Sequence, residues 1–415
     1  MKYRAIKGTK DILPPETCSW QYIESVVRQT MGCFGYREIR TPIFERTALF
    51  ARSIGELTDI VSKEMYTFLD RSEESLTLRP EGTASTLRAY IQHSLGEQMP
   101  LAKLYYIGPM FRQERPQAGR LRQFHQFGAE ALGSPSPQLD VEMMLLPLQI
   151  YQSLGIKTFS LTINSVGCPR CRPKYKELLR SELRKVFDQL SEDSQRRVEQ
   201  NPLRVLDSKD ENDRTLTATI PSILDYLCEE CSTHFETVQK VLDTLRLPYT
   251  VDNRLVRGLD YYTKTAFEIT STSLGSQDAL AGGGRYDMLV EELGGAPTPG
   301  VGFAAGMERL LTALTASEQF QPPVPTPDLF IVALDAESRS FAFQKAMELR
   351  NKGFAVEMDY NDRSVKAQMR EANRQQAHYV IVVGSNELAS GKGVLKEMST
   401  GKEIPVSLDN LQLPQ

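Results

Sequence analysis

The chain has 415 residues, of which 40% are hydrophobic and 25% charged, and its formal net charge is −4. That length exceeds what one ordinary hydrophobic core holds, so two or three domains are expected. The acidic balance excludes a protein that grips nucleic acid through a basic surface everywhere, though not one that uses a local basic patch.

No apolar run approaches the roughly 20 residues that span a bilayer. The opening MKYRAIKGTKDILPPE lacks the apolar core of a signal peptide. Six cysteines in so long a chain do not make a disulfide scaffold, so a cytoplasmic protein with free thiols and no membrane partner is expected.

In chain order, Ile23, Val26, Val27 and Met31 recur at helical spacing within residues 16–34. GYREIRTPIFE follows as an extended segment whose Pro42 marks an edge or interface strand. SLTLRPEGTASTLRAYIQHSL is a strand running into a helix that starts at Gly82 or Thr83, with Thr83 suited to the N-cap. KLYYIGPMFRQE and RLRQFHQFGAEALG form a long hairpin around a polar loop carrying Pro116 and Gly119. A helix over 138–154 and the strand FSLTINSVG come next. Charged helical sequence then dominates a helical insertion at about 168–248.

LVRGLDYYTKTAFEI, residues 255–269, reads as one strand, since Tyr261, Tyr262, Thr263, Thr265, Phe267 and Ile269 suit a pleated surface. AGGGRYD reads as a glycine turn or a close backbone approach, GVGFAAG as a small-residue strand and MERLLTAL as a final helix. EQFQPPVPTP, 318–327, is a proline-rich linker. Beyond it the order is strand–helix–strand–helix–strand with a closing hairpin at TGKE, a small α/β domain with a mixed sheet. Its helices are expected to bury Ala342, Ala346 and Leu349, and Val365, Met369 and Ala372. The domains are therefore read as 1–317, with the insertion, and 328–415.

The residues that carry chemistry lie mostly on predicted strands. Arg112 and Glu114 fall two apart, on one face of the outgoing hairpin strand; Phe124, Gln126, Gly128 and Glu130 alternate in the same way on the return strand. LRPEGTAS adds Arg79, Glu81 and Thr83, and the final helix adds Arg309. The four histidines, at 93, 125, 234 and 378, are scattered, and neither HExxH nor GxSxG occurs. GVGFAAG has the wrong glycine spacing for a dinucleotide site. Arginines near glycines and aromatics favour recognition of phosphate and carboxylate over covalent catalysis. The pairs CPRC (Cys168, Cys171) and CEEC (Cys228, Cys231) bracket the insertion in a tetrahedral zinc pattern, against unligated thiols as the alternative.

Together, TPIFE, FRQE with RQFHQFGAE, and GVGFAAGMERLL resemble the three motifs of class II aminoacyl-tRNA synthetases. LVRGLDYY and AGGGRYD resemble the signature peptides of the histidyl-tRNA synthetase family, and KGTKDILPPE and the C-terminal domain match it too. The resemblance covers essentially the whole chain. It implies an α+β fold: an antiparallel-sheet catalytic domain with a helical insertion, plus a C-terminal α/β anticodon-binding domain. It also implies a homodimer joined near Pro42.

The implied reaction activates L-histidine with ATP and Mg2+, then transfers it to tRNA(His). By the same resemblance Arg257 and Arg112 face the α-phosphate and the histidine carboxylate as the catalytic cations, with Asp260 holding Arg257. Glu114 and Phe124 meet the purine, and Arg309 the distal phosphates. Glu81, Thr83 and Gln126 receive the histidine ammonium, with Gly82 beside them. Glu130, Tyr261, Tyr262 and Tyr286 surround the side chain. Arg115, Gln117, Arg120 and Arg122 reach the acceptor end of the tRNA. A related regulatory subunit of ATP phosphoribosyltransferase normally lacks the C-terminal domain and parts of these motifs; this chain has both.

Overall fold

The computed structural model describes residues 3–55, 58, 60–115, 120–271, 279–316 and 320–414. The chain divides into two compact units, Met1–Pro322 and Pro323–Gln415.

The first unit begins with α1 (Glu16–Cys33), β1 (Arg37–Glu38), β2 (Phe44–Arg46), α2 (Thr47–Ile54), β3 (Thr67–Leu69) and β4 (Ser75–Leu78). Next come α3 (Thr83–Gln92), α4 (Leu95–Gln98), β5 (Ala102–Phe111), β6 (Gln123–Leu132), α5 (Pro137–Ser153) and β7 (Ser160–Ser165). The insertion then contributes α6 (Arg172–Lys185), α7 (Glu192–Gln200), α8 (Leu203–Leu206), α9 (Glu211–Leu216) and α10 (Glu229–Thr244). Sheet structure resumes with β8 (Thr250–Val251), β9 (Thr263–Thr270), β10 (Ala279–Arg285), α11 (Leu289–Glu292), β11 (Gly300–Gly306) and α12 (Met307–Thr315).

Eight of these strands form one sheet in the order β1-β5-β6-β11-β10-β9-β7-β8. The β1–β5 and β7–β8 pairs are parallel and the rest antiparallel. One face of the sheet is the main core. The apolar stripe Ile23, Val26, Val27 and Met31 of α1 packs there with α5 and α10, against Phe127, Ala129, Phe267, Ile269 and Phe303. Fully burying one such side chain stabilises by about 1.5–3 kcal/mol. Because strand side chains alternate, the other face carries Phe124, Gln126, Gly128 and Glu130 of β6, and Glu268 of β9.

The core also buries ions. Arg285 is 0% exposed and pairs with Asp140, also 0% exposed, while His234 Nε2 lies 3.1 Å from the same carboxylate. The Arg285 guanidinium donates further to the carbonyls of Ser134 and Ser136 and to Asp287. With its donors engaged in this way, the buried pair is tolerated.

Two elements differ from the sequence expectation. The segment Leu255–Ile269 is not one strand: β9 starts at Thr263, and 255–262 form a loop. Its backbone bonds elsewhere, with the Leu255 carbonyl accepting from Asn164 and the Asp260 N–H donating to Ile54 O. AGGGRYD makes no turn at its glycines: Ala281–Arg285 lie on the interior strand β10, where the glycines serve close approach, of the Arg257 guanidinium to Gly282 and of neighbouring backbone to Gly283 and Gly284.

The insertion has its own small core of Tyr175, Leu179, Leu183, Val198, Leu203, Val205 and Ile223. Asp213, 0% exposed, ties it together by accepting from Ser191, Ser194 and Ser208.

The second unit contains β12 (Leu329–Ala333), α13 (Ala336–Asn351), β13 (Val356–Met358), α14 (Val365–Arg374), β14 (Tyr379–Val383), α15 (Ser385–Ser390), β15 (Lys392–Glu397) and β16 (Glu403–Ser407). The order β13-β12-β14-β15-β16 is parallel across the first three strands and antiparallel after them. Ala342, Ala346, Leu349 and Ala372 are buried as their spacing predicts. Val365 is not: at the first turn of α14 it stands 40% exposed.

Candidate active site

A cleft of about 220 Å³ opens on the face of the large sheet opposite the main core. Its lining includes Glu81, Thr83, Arg112, Glu114, Arg120, Phe124, Gln126, Arg257, Tyr261, Tyr262, Tyr286 and Arg309. Of the other predicted site residues, Glu130 lies beneath it at 0% exposure, and Gly82 sits against the Tyr106 ring, where a Cβ would come within 2.4 Å. Arg115 is exposed and outside the lining. Arg122 is half-buried and reaches the Lys7 and Glu114 carbonyls. Gln117 lies outside the described residues.

Strand β6 supplies the axis of the cleft. From Phe124 to Glu130 the backbone covers about 20 Å, with arginines gathered at one end and a carboxylate among phenols at the other.

At the first end the Arg112 guanidinium stands 5.2 Å from the centroid of the Phe124 ring, and its Nε donates to Pro80 O at 3.0 Å. Arg112 and Glu114 are not on a strand, because β5 ends at Phe111; their ion pair spans 3.7 Å within the loop. Arg309 donates to Ala279 O at 3.0 Å. Burial, the largest cause, lowers its pKa; the charges of Arg120 and Arg112 push the same way, and Glu114 and Glu268 partly oppose them. Cations that destabilise one another in a partly desolvated cleft make a receptor for an anion.

Glu308, beside Arg309, accepts from the backbone N–H of His125 and sits 2.9 Å from its ring Nδ1. The His125 ring meets the Trp20 edge at 4.9 Å. These contacts lock α12 to β6 and so fix Arg309 beside Phe124. Sequence reasoning missed them; the only signal was the glutamate adjoining Arg309.

Mid-cleft, the ladder runs Gly128–Ala304–Gly282–Glu268 across β6, β11, β10 and β9. The two glycines and the alanine leave room above the sheet. A Cβ on Gly282 would fall 2.1 Å from the Arg257 guanidinium, so this glycine makes space for that cation. Arg257 Nη1 donates to Glu268 Oε2 at 2.6 Å. Burial alone would lower the Arg257 pKa, but Tyr262, Glu268 and Asp207 outweigh it and raise it, so the cation is permanent.

The expected Arg257–Asp260 pairing does not form. Asp260 accepts from Asn201 at 2.6 Å, because the 255–262 loop turns its carboxylate toward the insertion. Glu268 takes its place, a residue that strand alternation in β9 could have flagged.

At the second end Glu130 accepts from Thr83 Oγ1 at 2.7 Å and from the Tyr286 hydroxyl, with the Tyr106 hydroxyl at 3.5 Å. Burial, the largest cause, lifts its pKa to about 8; the hydrogen bonds from Tyr286 and Thr83 partly oppose this, and the Glu81 charge adds to it. Gly302 admits this carboxylate, since a Cβ there would meet Glu130 Oε2 at 1.8 Å. Tyr261 packs against Tyr262 at 4.7 Å and edge-on to Tyr286 at 5.6 Å. Burial raises the pKa of Tyr261 and Tyr286 well above the ordinary phenol, so both stay protonated donors.

Thr83 does not cap its helix. Glu81 does, accepting from the Thr83 and Ala84 backbone N–H groups at 2.6 and 2.9 Å. That frees the Thr83 hydroxyl for Glu130. Gln126 Oε1 is buried without a hydrogen-bond partner among the described residues, an acceptor left for a ligand.

Comparison with known proteins places the whole chain in one family. A family model described as histidyl-tRNA synthetase matches residues 8–310, and one described as an anticodon binding domain matches residues 328–412. The histidine–tRNA ligase of Halothermothrix orenii is 50% identical over 99% of this chain and 98% of its own length. That of Chloroherpeton thalassium is 52% identical over 98% of this chain and 96% of its own. Among solved structures, apo histidyl-tRNA synthetase of S. aureus superposes with a TM-score of 0.83 at 41% identity, covering 98% of both chains. With a family model spanning most of its length and relatives half identical from end to end, the chain belongs to the histidyl-tRNA synthetase family.

Proposed function

We infer that the chain is a histidine–tRNA ligase. It condenses L-histidine with MgATP to histidyl-adenylate and pyrophosphate, then transfers the histidyl group to the 3′ end of tRNA(His). The observation that carries this is the polarity of one cleft: arginines 112, 257 and 309 at one end and mid-length, and Glu130 with its phenols at the other.

A histidine carboxylate oxygen attacks the α-phosphorus, and pyrophosphate leaves with the electrons of the broken P–O bond. Such a step needs positioning and fixed positive charge more than proton transfer. Arg257 and Arg112 supply that charge at the α-phosphate. Arg309 holds the β- and γ-phosphates, which carry their Mg2+ with them. Phe124 stacks on the purine and Glu114 accepts from its edge. Glu81, Thr83 and Gln126, with the Gly82 backbone between them, receive the ammonium. Glu130 and Tyr286 pair with the imidazole, and Tyr261 and Tyr262 wall it. A buried carboxylate and phenol left unpaired would reject an apolar side chain strongly.

The exposed Arg115 and Arg120, with Gln117 and Arg122, meet the phosphates of the acceptor end, and residues 328–415 read the anticodon. In this reading the catalytic domain is 1–317 and the linker 318–327. A second copy of the chain covers the exposed apolar group Ile43, Phe44, Phe68 and Leu69 around Pro42, giving a homodimer. No helix of the described residues is long and apolar enough to cross a membrane, and we place the protein in the cytoplasm with its tRNA.

The direct test is ATP–pyrophosphate exchange. It should depend on histidine and ignore the other amino acids; no histidine-dependent exchange would overturn the reading. Within it, Phe124→Ala should raise the KM for ATP about tenfold through lost stacking, while the KM for histidine stays within about twofold.

A further inference from the structure

The four cysteines that bracket the insertion converge, although the two pairs are 60 residues apart in sequence. Their sulfurs all lie within 4.8 Å of one another. The Cys168–Cys228, Cys168–Cys171 and Cys171–Cys231 separations are 3.7, 3.8 and 3.9 Å. A zinc ion about 2.3 Å from each of four tetrahedral sulfurs separates them by about 3.8 Å. A disulfide would bring two of them to about 2.05 Å. Cys168, Cys171 and Cys231 are buried and Cys228 half-buried.

The surroundings are built for such a centre. Gly167 takes φ 66°, and a Cβ there would press on the Cys171 sulfur at 2.9 Å. The Cys168 N–H donates to Cys171 Sγ at 3.2 Å. A zinc with four thiolates is a net anion, and Arg170 and Arg172 stand beside the cysteines. Lys264 Nζ reaches Glu230, inside the CEEC pair, at 3.0 Å, and Arg170, inside CPRC, pairs with the same glutamate.

From the cluster a short path leads to the amino-acid pocket. Arg172 follows Cys171 and donates to the carbonyls of Val166, Gly167 and Tyr262. The Val166 N–H and Lys264 O, and the Lys264 N–H and Gly167 O, bond at 2.7 and 2.8 Å. The backbone just after the Tyr261–Tyr262 wall is therefore tied to the first cysteine pair.

We propose that Cys168, Cys171, Cys228 and Cys231 bind one structural zinc ion, which clasps the two ends of the insertion and, through Arg172, positions the Tyr262 side of the amino-acid pocket. The four thiols lose their protons on binding. The ion takes no part in the reaction. The pocket consequence rests on the function proposed above; the metal site does not.

The test uses the full chain purified without chelator. Elemental analysis should give about one zinc per chain, and cobalt(II) in its place should show the visible absorption of a tetrahedral thiolate site. Cys171→Ser with Cys228→Ser should abolish both, and should raise the KM for histidine about tenfold or more while the KM for ATP moves less. Should that variant fail to fold, stripping the native chain with a chelator and restoring it with zinc gives the same comparison reversibly. Well under one zinc per chain, with no cobalt uptake, overturns the site. Zinc bound with an unchanged histidine KM after stripping overturns its positioning role. Zinc bound with no histidine-dependent exchange supports the site and overturns the enzymatic reading instead.

Discussion

Arg257→Ala should slow adenylate formation by about 10²–10³, or roughly 3–4 kcal/mol of transition-state stabilisation, while leaving the fold intact. Arg257 is a fixed cation at the cleft wall, held by Glu268 at 2.6 Å and given its space by Gly282. Charge building on the α-phosphate would meet it without reorganisation. Arg257→Lys should recover only part of the rate, since a point charge cannot engage Glu268 and a phosphate oxygen through one planar fork.

The geometry separates its neighbours as well. Glu268→Gln should lower the rate about tenfold by loosening the guanidinium. Asp260→Asn should leave the rate nearly normal, because its carboxylate faces Asn201 and the insertion. Single-turnover adenylate formation, measured beside thermal unfolding of each variant, decides the matter. Near-normal turnover by folded Arg257→Ala would reduce the arginine to a strand-stabilising ion pair.

Glu130→Gln should weaken histidine binding about 10–100-fold and leave the KM for ATP nearly unchanged, the size expected for losing a hydrogen bond to a charged group. Equal losses for both substrates would make Glu130 a structural residue of the hairpin.

The same variant has a pH signature. In the ligand-free protein Glu130 faces Thr83 and Glu81 from the α3 start, Tyr106 from β5 and Tyr286 beyond β10, and burial lifts its pKa from 4.5 to about 8. Between those values the folded state holds a proton that the unfolded chain releases. Stability from this group is therefore fully present below about pH 4.5 and is lost as pH rises toward about 8. Glutamine stays neutral throughout. Glu130→Gln should come within about 1 kcal/mol of the parent near pH 5 and exceed it by on the order of 4 kcal/mol near pH 8. A melting-temperature difference that does not grow with pH would show that Glu130 ionises normally in the folded protein.

Much of this protein is legible from local sequence, because much of it depends on local physics. Helical spacing placed α1 and its buried stripe, alternation placed Phe124 to Glu130 on one face, and proline marked the break before the second unit. The motif residues, singled out by their resemblance to one family, include about half of the residues that line the cleft; the small residues of β10 and β11 and Glu308 were not among them.

What local sequence could not decide were matters of partner. Glu81 rather than Thr83 caps α3, since its longer side chain reaches back to two free N–H groups and releases the hydroxyl for Glu130. The 255–262 segment has strand-forming residues, but its backbone bonds the Ile54 carbonyl and the Asn164 side-chain amide instead of a neighbouring strand, so it loops. The AGGGRYD glycines suit a turn or a close approach equally until the sheet shows an arginine lying over one of them. Glu268, not Asp260, holds Arg257 because β9 and that loop meet only in the folded chain. In each case propensity and periodicity act over a few residues, whereas a hydrogen bond or ion pair is settled by which distant segment the sheet brings within 3 Å.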